Sequence, residues 1–588
     1  MEALDFGDTA PPSANARRLS RLCVVSALSS LVSIGFAGCG DSGNSSSASG
    51  GAAANGGRAD TGTGGKQSEA GSGNAPNGEG GAGGAGQPAN AGAPAGGSSA
   101  EGGTGGSASG GEGGAGGHED QGTCPLGPSP REAPCLLDDS RAVFVAPSGA
   151  DTALGTQAAP VKTIQHALEL ANESPKRIVI ACVAQYDERL TLSAGAHLYG
   201  GYSCPSAAAP WTYQTGKTKV TPTAVGAALQ VLAAKARVVI EDFEFTAPSD
   251  PTRSASSIGA VIDASVDVVM RRVSIAAGTG SVGANGDIAA PGANGADAGV
   301  EQNGKAAACQ VSGTQQGGQW LSDSACGSRG GPGGKADTGG PGYDGGSGSP
   351  APIGSIANGG PAARMFLQQG GAGLRGADGL AGNAGLPASG GGTFTHTGYS
   401  AGPAGGSGET GTPGQGGGGG GSVPSTSPQC IGARGGAGGM GGCGGSGGNG
   451  GKPGGASVGL LVWDSALSLE ACSVSSARGG LGGDGAVGGG GGLGALGGAA
   501  GDGFTGNLNT PLSGSGAGGP GGKGGSGGPG AGGNGGPSYA LVYHGSQPSL
   551  VGFTQLSPGP GGDPGSSGDP ESGNSGIRGA AQAVFQAP

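Results

Sequence analysis

Val238-Val239-Ile240-Glu241-Asp242-Phe243-Glu244-Phe245 is followed, thirty residues later, by Val268-Val269-Met270-Arg271-Arg272-Val273-Ser274-Ile275, with apolar and charged residues at the same places. The pattern returns at Leu467-Ser468-Leu469-Glu470-Ala471-Cys472-Ser473-Val474 and, more loosely, from Pro548 to Gln555. A short apolar segment precedes each copy: Ala228-Leu229, Ala260-Val261-Ile262, Leu460-Leu461-Val462 and Ala540-Leu541-Val542. Ala583-Val584-Phe585 starts a last copy. A recurring unit of short strands marks an architecture in which equivalent strands stack. At a strand spacing of about 4.8 Å, Glu241 falls over Arg271 and Asp242 over Arg272, while Cys472 shares a column with Phe243, Val273 and Phe553. The acids then read as rungs of a charge ladder, and Cys472 as a small buried hydrophobe.

Glycine-rich blocks separate the copies. Residues 278–456, 479–537 and 558–577 begin just after Ile275, Val474 and Leu556, so they are expected to leave the scaffold along one edge. Insertions on one face of a stacked array commonly carry its binding surface. Their period is three. Gly435 to Lys452 reads GGAGGMGGCGGSGGNGGK, and glycine recurs at 370, 373, 376, 379, 382 and 385 and again from 479 to 497. That period fits extended threefold helices of the polyproline II type, packed backbone to backbone as a polyglycine II bundle; disordered glycine loops are the alternative. Collagen fits less well, because these runs are short and poor in proline.

Of 588 residues, 148 are Gly and 39 Pro, with only 12% charged and 4% aromatic, which disfavours an ordinary globular enzyme. A net charge of -12 without Lys/Arg clusters excludes nucleic acid as a partner.

At the start, Arg17, Arg18 and Arg21 precede an apolar stretch from Leu22 to Phe36 and then Ala37-Gly38-Cys39, the layout of an export signal. The stretch is too short to cross a bilayer core of about 30 Å. Its ending resembles the bacterial lipobox, departing from it at Phe36 where that family usually has Leu. The resemblance implies that Cys39 is acylated and becomes the mature N-terminus, making a lipid-held membrane the first partner and the outer membrane or cell surface the destination. Gly40 to Thr123 contains no Val, Ile, Leu, Met, Phe, Trp, Tyr or Cys and reads as a disordered tether. Excluding Cys23 and Cys39, nine cysteines remain. In an oxidising compartment, loop length favours disulfides between Cys124 and Cys135, Cys182 and Cys204, Cys309 and Cys326, and Cys430 and Cys443, leaving Cys472 over. Neither metal-ligand spacing nor a cofactor motif is present, so no metal and no cofactor is expected.

Val143-Phe144-Val145-Ala146-Pro147-Ser148-Gly149, then Asp151, Gly155-Thr156, Pro160, Lys162-Thr163-Ile164 and His166-Ala167-Leu168, resembles the opening of right-handed parallel β-helix proteins of the pectate-lyase-like superfamily. Leu198-Tyr199-Gly200-Gly201-Tyr202 and the Cys182/Cys204 pair add a likeness to glycine-rich, PGRS-like bacterial surface lipoproteins carrying that domain. The resemblance implies an all-β solenoid with an N-terminal capping helix. Val161, Ile164, Leu168 and Ala171 recur at helical spacing after Pro160, which predicts that helix over 160–172 with His166 projecting from it. The expected organisation is a signal peptide 1–38, a tether 39–123, the first part of the β-helix 124–277, insertion 278–456, a rung 457–478, insertion 479–537, a rung 538–557, insertion 558–577 and a terminal strand 578–588.

Two chemistries are compatible with such a scaffold. Convergent acids would make a polysaccharide lyase or glycoside hydrolase, for which Asp263, Asp267, Glu241, Asp242 and Arg272 are the candidates. Trp463 and Tyr543, across from Asp263 in later copies, would form an aromatic strip for a sugar ring, or else sit as half-buried turn residues. The leading expectation is non-catalytic: a lipid-anchored surface protein displaying a glycine-rich face for adhesion, matrix or carbohydrate contact. A structural coat protein without a specific ligand is the third reading.

Overall fold

The computed structural model describes Cys124 and residues 128–588 apart from 205–208, 323–324, 352–357, 366 and 505–512. The predicted signal peptide, Cys39 and the tether lie outside the described residues. The fold is all-β, dominated by three parallel sheets. The first orders seven strands: Ala142–Val145, Ile178–Cys182, His197–Tyr202, Val238–Glu241, Val268–Arg271, Leu467–Glu470 and Ser549–Val551. The second stacks Gln185–Tyr186, Thr218–Val220, Phe243–Thr246, Ser274–Ala276, Ser473–Ser475 and Gln555–Ser557. The third stacks Leu190–Leu192, Leu229–Leu232, Ser257–Asp263, Ser457–Trp463, Ser538–His544 and Ala581–Gln586. From Leu229 onward the chain visits the third, first and second sheets in that cyclic order.

Alternation along each strand fills the interior: Val238, Ile240, Phe243, Phe245, Ile262, Met270, Val273, Ile275, Leu469 and Val474 join one buried cluster. Phe243 and Phe245 stack with ring centroids 5.5 Å apart. The corners turn on single residues in the left-handed region. Between the third and first sheets these are Ala233, Ala264, Asp464 and Gly545, and between the first and second Asp242, Arg272, Ala471 and Gly552. Only the last circuit uses glycine there, where left-handed backbone carries no Cβ penalty.

The octets pair in the expected register, Val268 with Val238 and with Leu467. The last copy departs from expectation twice. In the third sheet Leu460 pairs with Leu541, Val462 with Tyr543 and Trp463 with His544, one residue later than predicted. At the next corner Glu470 pairs with Val551 but Ser473 with Gln555, so the last copy carries one extra residue. That residue expels Phe553 from the core column; it is fully exposed, and Thr554 Oγ1 instead accepts from the Cys472 N–H at 3.3 Å.

The helix runs Ile164–Glu173, starting later than the predicted 160–172. Val161 is taken by a parallel bridge to Val145, and Thr163 caps the helix by accepting from the His166 N–H at 3.3 Å. Glu188 accepts from the N–H groups of Ile164 and Gln165 at 2.8 and 2.9 Å. Ile164, Ala167, Leu168 and Ala171 face the core and close that end of the stack. Among the described residues no helix is long and apolar enough to cross a membrane.

All three glycine-rich blocks leave after second-sheet strands and return into third-sheet strands, hence at one corner. They hydrogen-bond to one another by a rule of threes. Gly439, Gly442, Gly445 and Gly448 donate to Gly519, Gly522, Gly525 and Gly528, at 2.9–3.0 Å. In the same run Cys443 and Ser446 donate instead to Ala293 and Ala290, while the Gly439, Gly442 and Gly445 carbonyls accept from Gly417, Gly414 and Gly411. The Cys443 carbonyl accepts from Gly492 at 2.9 Å. One run is thus bonded to four neighbours, which satisfies backbone groups that no side chain could reach. The bonded amides of the Gly435 to Lys452 run, Gly439, Gly442, Gly445 and Gly448 among them, are therefore expected to be protected from hydrogen exchange for hours; their complete exchange within seconds would contradict this order.

Cys124–Cys135 and Cys182–Cys204 form as predicted. The other two do not: Cys309 pairs with Cys430 and Cys326 with Cys443, across 121 and 117 residues. The runs fold back on one another, so Ala308–Cys309 lies antiparallel to Cys430–Ile431 and chain distance no longer measures spatial distance. Cys472 is free and buried, its thiol pKa pushed up by burial. Its alkylation at pH 8 is expected only after unfolding, read by mass spectrometry of its peptide; labelling of the native protein at the unfolded rate would refute this.

Candidate functional site

The charged octet positions meet at the corner between the first and second sheets. Glu241, 2% exposed, accepts from Arg271 and Arg272 at 2.9 Å each. Arg272 also grips both oxygens of Asp242, at 2.8 and 2.9 Å, and Arg271 continues to Glu470 at 2.7 Å. Every charge here has a partner of opposite sign, the ladder expected from the repeat. Tyr199 and Tyr202 lie nearby, their phenol pKa values pushed up by burial and then by the Glu241 charge.

Asp263 and Asp267 lie at the other end of the first-sheet strands, at the corner with the third sheet. Asp263 sits 3.4 Å from His396 and Asp267 3.7 Å from Arg237. The five candidate residues are therefore divided between two corners and engaged with separate partners. Trp463 is half-buried beside Asp263 in the ladder. It stacks on His544 with centroids 4.3 Å apart and 9° between the planes, and His544 Nδ1 lies 2.8 Å from Asp464. Tyr543 is displaced by the one-residue slip and points into the core, so it forms no strip with Trp463.

A different aromatic group lies on the outer side of the third sheet. The hairpin Thr393–Thr395 and Gly398–Ser400, part of the first insertion, folds onto Tyr539 and Phe585. Phe394 lies 4.9 Å from Tyr399, 5.8 Å from Tyr539 and 5.7 Å from Phe585, and Tyr539 stacks on Phe585 at 4.7 Å. Gly392 N–H donates to the Tyr399 hydroxyl at 3.1 Å, tying the hairpin to its neighbouring glycine wall. The four rings and that wall enclose a cavity of about 270 Å³, with Arg578 lining it and held at 3.1 Å by Asp563. Burial pushes the phenol pKa values of Tyr399 and Tyr539 up, so both stay neutral. Such a cleft can stack a flat ring or the apolar face of a sugar. Sequence reading missed it because Phe394 and Phe585 are far apart in the chain; the scarcity of aromatics was the one available signal. Among the described residues no group of three His, Cys, Asp or Glu is arranged to hold a metal ion.

No family model matches the chain, and no curated protein matches it. Among solved structures, the crystal structure of a GH136 lacto-N-biosidase from Eubacterium ramulus, a selenomethionine derivative, aligns at 14% identity with a TM-score of 0.18. The match covers 23% of this chain and 27% of that one, and a likeness of this extent carries no argument about fold or activity.

Proposed function

We propose that this chain is a glycine-rich, PGRS-like surface lipoprotein: a right-handed parallel β-helix of the pectate-lyase-like kind carrying a polyglycine II bundle on one side, without catalysis of its own. Acylated Cys39 holds it to the membrane and the 84 residues from Gly40 to Thr123 hold the folded part clear of the outer membrane surface. The glycine-rich face makes adhesive, matrix or carbohydrate contacts. The observation that carries this reading is the common corner of all three insertions together with what their triplets expose. Leu374, Leu380 and Leu386 stand out from one run, and Leu481, Val487, Leu493 and Leu496 from another, all exposed. Regularly spaced apolar side chains on a bonded glycine slab are a surface for contact.

The aromatic cleft is the place for a saccharide. Binding of the purified mature protein to a panel of neutral glycans and to cells tests the reading, with Phe585→Ala expected to weaken glycan binding about threefold to tenfold. Absence of binding to both glycans and cells would leave a coat protein, and turnover of any glycan would replace adhesion by catalysis. Mass spectrometry of the mature N-terminus tests the anchor, since an unmodified Cys39 would remove it.

A further inference from the structure

The packing of Leu136, Ile178 and Tyr199 on the outer side of the first sheet leaves a cavity of about 400 Å³, remote in sequence from the aromatic cleft. Arg141, Arg177 and His197 also line it. Four features of these groups belong together. Arg141 and Arg177 are exposed at the cavity, and among the described residues neither guanidinium has an ion-pair partner, although the chain as a whole carries a net charge of -12. The third feature is His197 Nδ1, a buried atom with no hydrogen-bond partner. The fourth is the Tyr199 hydroxyl, which has no partner among the described residues either. Of the nearby acids, Asp138 holds the Ser140 hydroxyl and N–H while also sensing the Arg141 charge beyond ion-pair distance, Asp267 lies 3.7 Å from Arg237, and Glu241, whose charge reaches Tyr199, is paired with Arg271 and Arg272.

Buried polar groups in folded proteins almost always have partners, and an unpartnered one commonly marks an unseen ion or water. Here the vacant groups come from three chain segments, and two of them are guanidiniums. A flat carboxylate offers two oxygens in one plane, whereas a tetrahedral oxyanion offers oxygens in several directions to two guanidiniums, an imidazole and a phenol. We propose that this cavity binds a phosphate group, with Arg141 and Arg177 as its charge partners and His197 and Tyr199 as hydrogen-bond donors. Burial, then Arg237 and Arg177, push the His197 pKa down, so the empty cavity disfavours the imidazolium. A bound anion reverses that electrostatic balance and supplies the acceptor that His197 lacks. The apolar floor and the volume beyond one phosphate leave room for an attached carrier, which is either a soluble phosphate ester or a phospholipid headgroup.

Isothermal titration of the mature protein with inorganic phosphate, and flotation with phosphatidylglycerol vesicles against phosphatidylcholine vesicles, test the site and separate the two sources. Wild type is expected to bind phosphate in preference to acetate, and the double variant R141Q/R177Q to weaken that binding at least about tenfold. Both replaced side chains are exposed, so the variant's melting temperature should stay unchanged. Vesicle binding that free phosphate competes away assigns a lipid headgroup; phosphate binding without vesicle binding assigns a soluble ester. No detectable phosphate binding, equal affinity for acetate, or a folded double variant that binds as wild type does would each overturn the proposal. Neutral-glycan binding by the same variant reports on the aromatic cleft alone, so failure here is distinguishable from failure of the adhesive reading.

Discussion

Gly438→Ala is expected to destabilise the protein by about 3 kcal/mol, at the upper end of what overpacking usually costs. A Cβ at Gly438 would stand 1.9 Å from the Gly417 carbonyl oxygen, which is backbone and itself bonded within the bundle. The neighbour cannot rotate away as a side chain would. Gly441, Gly444 and Gly447 repeat the situation, with carbonyl oxygens at 2.1, 1.8 and 1.9 Å from the added carbon. Gly490 is the control: its added Cβ would meet nothing within 4 Å. Gly490→Ala should therefore be neutral or stabilising by about 0.5 kcal/mol, because alanine restricts the unfolded chain. Chemical denaturation of the two variants beside wild type checks the contrast. Equal effects would mean that the triplets do not pack as described.

Glu241→Ala is the second large effect, a loss of about 3 kcal/mol read by the same denaturation. Glu241 is nearly inaccessible and bridges two guanidiniums, so its removal leaves positive charges facing each other in a partly desolvated corner. The cost stays near the low end for a broken buried pair because Arg271 keeps Glu470 and Arg272 keeps Asp242. Asp267→Ala, removing a half-exposed partner of Arg237, should change stability by less than about 0.5 kcal/mol. A Glu241→Ala loss no larger than that of Asp267→Ala would show that the ladder contributes nothing to stability.

How much was legible follows from where the information sits in the chain. The octets carried their own register, since matched apolar positions must face the same core and matched charges must meet their opposites; Glu241 over Arg271 could be read without coordinates. The exit of every glycine block from one corner was legible for the same reason, as each begins at the same place in the unit. Pattern matching failed twice in the last copy: a period-two strand read one residue out of register has its two faces exchanged, which put Tyr543 inward, and the extra residue at the following corner put Phe553 outward.

Local sequence by itself determined the strand units, their stacking partners and the three-residue grammar of the glycine runs, because each is encoded within a few neighbouring residues. Only the tertiary structure decided which glycine runs lie side by side, which cysteines meet across more than a hundred residues, and which rings enclose a cleft. Glycine triplets are alike, and nothing in one of them names its neighbour. That choice belongs to backbone hydrogen bonds between distant segments, whose ends are held by the strands of the scaffold.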